Sequence, residues 1–129
     1  MGPDGHTCSL FPGHRLMTES AIDSAEHSPT WPRVVAITDS PKPPAARITL
    51  GLAEIQHNAL TVVYVTTGKG KAPVLGEIMT KGEKSGYPAA IARPLEGLKG
   101  EQRKLVWMVD EEAAGEVPVA VREKLAGKL

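Results

Sequence analysis

Apolar positions in this chain fall into short β-branched runs divided by polar stretches rich in glycine and proline, the alternation expected of strands and helices packed in layers. Residues 33–38, Arg-Val-Val-Ala-Ile-Thr, form a run of strand length, and Pro41, Pro43 and Pro44 stop it because proline has no N–H to give a ladder. Extended structure resumes over 47–50. Leu52, Ile55 and Ala59 recur at helical spacing and predict a short helix that feeds a strand over 60–66. That strand is apolar and β-branched on both faces, which predicts burial between helix layers. A glycine loop over 67–71 then leads to a helix in which Pro73 suits the first turn and Val74, Leu75, Ile78 and Met79 share one face.

Farther along, 81–86 and 95–102 read as loops and 88–93 as a short helical piece. Residues 104–109 form another strand, Asp110 is placed to cap a short helix through Ala114, and a proline-led amphipathic helix is predicted over 117–129. Residues 17–33 are polar and read as a surface segment without chemistry. There is no internal repeat. The pattern predicts α/β structure over 1–129, one domain at most.

Composition narrows this picture. Apolar residues are 41% of the 129 and aromatic residues only 4%, so the core must be aliphatic. Fifteen basic residues balance fifteen acidic ones, which argues against broad binding to nucleic acid or an anionic membrane. Cys8 stands alone, excluding an internal disulfide and a cysteine zinc site and fitting a reducing, cytoplasmic setting. No apolar run approaches the ~18 residues of a membrane span.

Three groups of residues carry candidate chemistry. Asp4-Gly5-His6 places a carboxylate two residues from an imidazole, close enough to fix its tautomer and leave the other nitrogen as a base. Taken alone the triplet reads as an ordinary polar turn, and only its context favours the acid/base pair. Gly68, Gly70 and Lys71 lie before a helix N-terminus, where backbone N–H groups suit a phosphate, although the spacing is not that of a P-loop. Arg47 heads a strand and has the planar fork that grips phosphate. His14, His27 and His57 follow no metal-ligand spacing, and Cys8 reads as a small buried neighbour of the first loop.

In this order the segments resemble the 6-phosphogluconolactonase family. The resemblance rests on Gly2-Pro-Asp-Gly-His-Thr-Cys-Ser-Leu-Phe-Pro12, Asp39-Ser-Pro-Lys-Pro-Pro-Ala-Ala-Arg-Ile-Thr-Leu50, Thr67-Gly-Lys-Gly-Lys-Ala72, Pro88-Ala-Ala, and Leu105-Val-Trp-Met-Val-Asp-Glu-Glu-Ala-Ala114. It implies a Rossmann-like, mostly parallel sheet with flanking helices, shared with glucosamine-6-phosphate isomerases. It implies His6 as general base, Asp4 as its orienting partner, Arg47 and Lys71 as phosphate holders, and Gly2, Gly5, Gly68 and Gly70 as loop support. The substrate implied is a small phosphosugar lactone, with no metal or cofactor. In the isomerases a glutamate follows the histidine by five positions, and here that position is Phe11, which favours lactone hydrolysis. The blocks correspond to the second half of the family's domain. The chain is therefore expected to be a homologue shortened at its amino end, weakly active or inactive alone. A non-catalytic phosphosugar-binding fragment and an isomerase-like enzyme are the alternatives.

Overall fold

A computed structural model describes residues 1–17, 33–95 and 102–125. Most of the polar segment predicted over 17–33 lies outside them, as do the last four residues of the predicted terminal helix.

Two strand pairs organise the described residues. Strands β1 (Val34–Ile37) and β2 (Arg47–Leu50) pair antiparallel, with Val34 opposite Leu50 and Ile37 opposite Arg47. A short connection returns the chain directly beside itself, so the proline loop over 39–46 imposes this direction. Helix α1 (Leu52–Asn58) follows at once and leads to β3 (Thr61–Thr66). Strand β3 pairs in parallel with β4 (Lys104–Val109), Thr61 opposite Lys104 and Thr66 opposite Val109. Between them lie α2 (Ala72–Lys81) and the single turn α3 (Pro88–Ile91), the helical crossover that a parallel pair requires. Helix α4 (Val119–Leu125) closes the described chain, preceded by Pro118.

Helical spacing accounts for what each helix buries. Leu52 and Ile55 of α1 join Leu10, Leu16, Ile37 and Ala92 in one apolar cluster. Val74 and Ile78 of α2 join Tyr64, Ala89 and Ala90 in a second, while Leu75 packs with Ala113 and Val117. Tyr64 stacks on Trp107 across the parallel pair, ring centroids 4.3 Å apart, and donates its hydroxyl hydrogen to the carbonyl of Ala92. The sequence hid two ties. Arg103 donates to the carbonyls of Gln56, His57 and Ala59, satisfying the last turn of α1, and the Gln56 side chain reaches the carbonyl of Ile91.

One expectation fails in part. Tyr64 and Thr66 of β3 are buried, but Val63 and Val65, on the other face, are 48% and 64% exposed. Strand alternation puts these two sets on opposite faces, and among the described residues helices cover only one. Ile48 of β2 is likewise exposed.

Candidate active site

The first turn is shaped by glycine. Gly2 donates to the carbonyl of His6 and Gly5 donates to that of Gly2, closing a compact turn over 2–6. The imidazole of His6 occupies the space that a side chain at Gly2 would need. Gly5 has a positive φ of 78°, and a Cβ there would stand 2.5 Å from the ring of Tyr87. Its carbonyl accepts from Ala89, the second residue of α3. Both glycines are therefore required by the close approach of rings, as well as by the turn.

Within that turn His6 Nδ1 and Asp4 Oδ1 are 2.5 Å apart. Asp4 is ionised and can only accept, so Nδ1 carries the hydrogen between them and Nε2 is left facing away from the carboxylate. The other carboxylate oxygen meets Lys42, whose Nζ lies 2.7 Å from Oδ2. Burial opposes the charge on Asp4, but hydrogen bonds from Lys42 and His6 outweigh it and hold the carboxyl well below the usual carboxylate range. Lys42 lies inside the Asp39-Ser-Pro-Lys block, and nothing in its spacing marked it as a site residue.

Phe11 joins this turn to the strand pair. It is fully buried, its ring centroid lies 4.6 Å from that of His6, and the guanidinium of Arg47 sits 5.3 Å from the same centroid. Arg47 donates to the carbonyls of Lys42, Pro43 and Pro44, so its fork grips the backbone of the proline loop. A buried bond from the N–H of Ser9 to Thr49 Oγ1 ties the end of the first turn to β2.

The glycine loop forms a second group at the C-terminal end of β3. Lys71 is half-buried where a 3-10 turn over Lys69–Lys71 runs into α2, and its N–H donates to the carbonyl of Gly68. Gly68, with φ of 86°, donates its N–H to both carboxylate oxygens of Asp110, at 3.1 and 3.0 Å. Asp110 also accepts from the N–H of Ala113 at 2.8 Å, as a capping residue does. The segment it caps is a series of turns, where a short helix was expected. Gly70 lies within the 3-10 turn, with open space beside its Cα. The contacts thus gather His6, Asp4, Lys42, Phe11 and Arg47 into one cluster, and Lys71, Gly68 and Gly70 into the other.

Cys8 departs from its predicted burial. It is exposed at a left-handed φ of 51°, and it lines a cleft of about 490 Å³ with Met1, Thr7 and Tyr64. Local desolvation nonetheless pushes its thiol up, which disfavours the thiolate a nucleophile needs. Among the described residues no three His, Cys, Asp or Glu side chains are grouped to hold a metal ion, and no helix is long and apolar enough to cross a membrane.

Known proteins share this arrangement of segments. Over 115 residues the chain is 45% identical to 6-phosphogluconolactonase of Bos taurus and 45% identical to that of Homo sapiens, which is 88% of this chain and 38% of each relative. It therefore spans well under half the length of these curated relatives. The crystal structure of devB protein superposes with a TM-score of 0.65 at 29% identity, covering 91% of this chain and 42% of that one. The family model for glucosamine-6-phosphate isomerases/6-phosphogluconolactonase matches residues 1–107, most of the sequence, and the chain belongs to that family.

Proposed function

We propose that this chain carries the water-activating part of a 6-phosphogluconolactonase site, for hydrolysis of 6-phospho-D-glucono-1,5-lactone to 6-phospho-D-gluconate. The observation that carries the reading is the Lys42–Asp4–His6 relay, which keeps Asp4 charged, fixes the hydrogen on Nδ1 and presents Nε2 as a base. Nε2 takes a proton from water as the oxygen adds to the lactone carbonyl. The tetrahedral intermediate then expels the ring oxygen, which receives that proton from the imidazolium, and the new carboxylic acid ionises in solution. Arg47 and Lys71 are proposed to hold the 6-phosphate. For Arg47 this means sharing a fork already engaged with the proline loop.

Phe11 supports hydrolysis over the isomerase alternative. The position five after His6 is filled by a buried aromatic ring packed on the imidazole, so no carboxylate assists the base from there. A place in the oxidative pentose phosphate pathway and a cytoplasmic location go with this reading.

The test is lactone hydrolysis by the purified chain, followed by coupling the 6-phosphogluconate formed to its dehydrogenase. Weak turnover, above the spontaneous rate and removed by His6→Ala, is the expected result. A rate equal in both proteins, with 6-phosphogluconate still binding in an NMR titration, would favour the binding fragment. Ammonia release from glucosamine 6-phosphate would favour the isomerase.

A further inference from the structure

A second histidine–aspartate contact lies at the far end of the same two loops. His14, with a side chain only 8% exposed, places Nε2 3.2 Å from Asp39 Oδ1. The N–H of Leu16 donates to His14 Nδ1 at 3.3 Å. Since a backbone N–H can only donate, Nδ1 is the acceptor and Nε2 bears the hydrogen given to Asp39. Arg15 Nε adds a looser contact, 3.9 Å from the other oxygen of Asp39.

Asp39 opens the proline loop, which carries Lys42 and runs into Arg47 of β2. The loop is bonded to itself throughout. Ser40 Oγ donates to the carbonyl of Lys42 at 2.7 Å and accepts from its N–H at 3.3 Å, and the N–H of Ser40 donates to the carbonyl of Ala45. Arg47 grips the carbonyls of residues 42–44 from the other side. These bonds tie the backbone of residues 40–45 to one another and to Arg47.

We propose that His14 and Asp39 form a positioning pair, a clamp that pins the start of the proline loop to the turn over 11–14 beyond Phe11 and thereby keeps Lys42 on Asp4. Neither side chain touches the reacting atoms, and their effect passes through Lys42. The consequence for catalysis rests on the lactonase reading, whereas the clamp rests on geometry alone.

The experiment is competitive acetylation of the folded chain with an amine-reactive ester, read by peptide mass spectrometry, with Lys69 and Lys104 as internal references. Asp39 has an exposed side chain, so Asp39→Ala should keep the fold. It is expected to raise Lys42 labelling about fivefold relative to the references, the scale of losing a restraining surface ion pair. Asp39→Asn, which retains an oxygen to accept from His14 Nε2, is expected to restore most of the protection. His14→Gln provides a second, independent break. In hydrolysis, Asp39→Ala should lower kcat/KM in the parent chain and have no added effect in Lys42→Ala, the signature of action through that lysine. Unchanged Lys42 labelling in folded Asp39→Ala, or an equal loss of activity in both backgrounds, would overturn the proposal. Labelling needs no substrate, so such a result leaves the lactonase reading standing. Conversely, the expected labelling without His6-dependent hydrolysis rejects that reading and keeps the clamp.

Discussion

Lys42 Nζ and Asp4 Oδ2 lie 2.7 Å apart, so the carboxylate that orients His6 is itself held by a cation from another loop. Replacing Lys42 with Met removes a principal interaction that lowers the Asp4 carboxyl. The sign follows directly. A carboxylate held low in the folded state stabilises the fold above its unfolded pKa of ~3.9, and that contribution is lost only as pH falls through the lowered folded value. Lys42→Met is expected to move the Asp4 titration up toward the ordinary range and the acid-unfolding midpoint to higher pH. The 13C signal of the Asp4 carboxyl and circular dichroism across pH 2–6 measure both.

Asp4→Asn keeps the shape of the turn and removes the charge that fixes the His6 hydrogen on Nδ1. On the lactonase reading, hydrolysis is expected to fall by ~10²-fold or more, far beyond what the stability lost with the Lys42 pair accounts for, the pattern of a lost orienting group. A parallel fall in stability and rate would mean that Asp4 serves the fold alone.

Gly5→Ala meets two obstacles, a left-handed backbone and the ring of Tyr87 at 2.5 Å. A loss of ~1–3 kcal/mol in denaturant unfolding is expected. Gly2→Ala pushes instead on the imidazole of His6. It should reduce activity far more than it reduces stability.

Much of this was readable in advance, and the exceptions share a cause. The strand, glycine loop and helix over 61–81 follow from local preference, and so do Pro73 at the start of α2 and the end of β1. Asp4-Gly5-His6 was legible because its two members are neighbours in the chain. Lys42 was not, because only the antiparallel return of β2 and the folded proline loop bring it back to residue 4. Arg47 reads from the sequence as a cation at a strand end, but the carbonyls that occupy its fork depend on how residues 42–44 turn. The predicted burial of β3 on both faces came from composition, and composition cannot count the elements available to cover a face.

Burial pushes the Tyr64 phenol up to about 12, and its hydroxyl donates to Ala92. An acid held neutral in this way stabilises the fold fully below its unfolded pKa of ~10, and that contribution is lost as pH rises through the folded value. Ultraviolet titration of the phenolate should therefore show a component delayed to about 12, absent from Tyr64→Phe. The same substitution is expected to cost ~1 kcal/mol through the lost hydrogen bond.

Asp110→Ala removes the acceptor shared by Gly68 and Ala113. A loss of ~0.5–2 kcal/mol is expected, as for a helix cap, with faster amide exchange confined to residues 67–71 and 111–115.

The parallel pairing of β3 with β4 has a kinetic consequence. Residues 61–66 cannot meet residues 104–109 until the whole crossover between them has been drawn closed, and the entropy of that closure must be met before the ladder rewards it. Helix α2 needs no such partner to begin forming. The contact between Gly68 and Asp110 joins the two ends of the closed loop. The glycine turn therefore takes its final shape late, when the sheet zips, and a slow folding phase should report on Gly68 more strongly than on the helix that follows it.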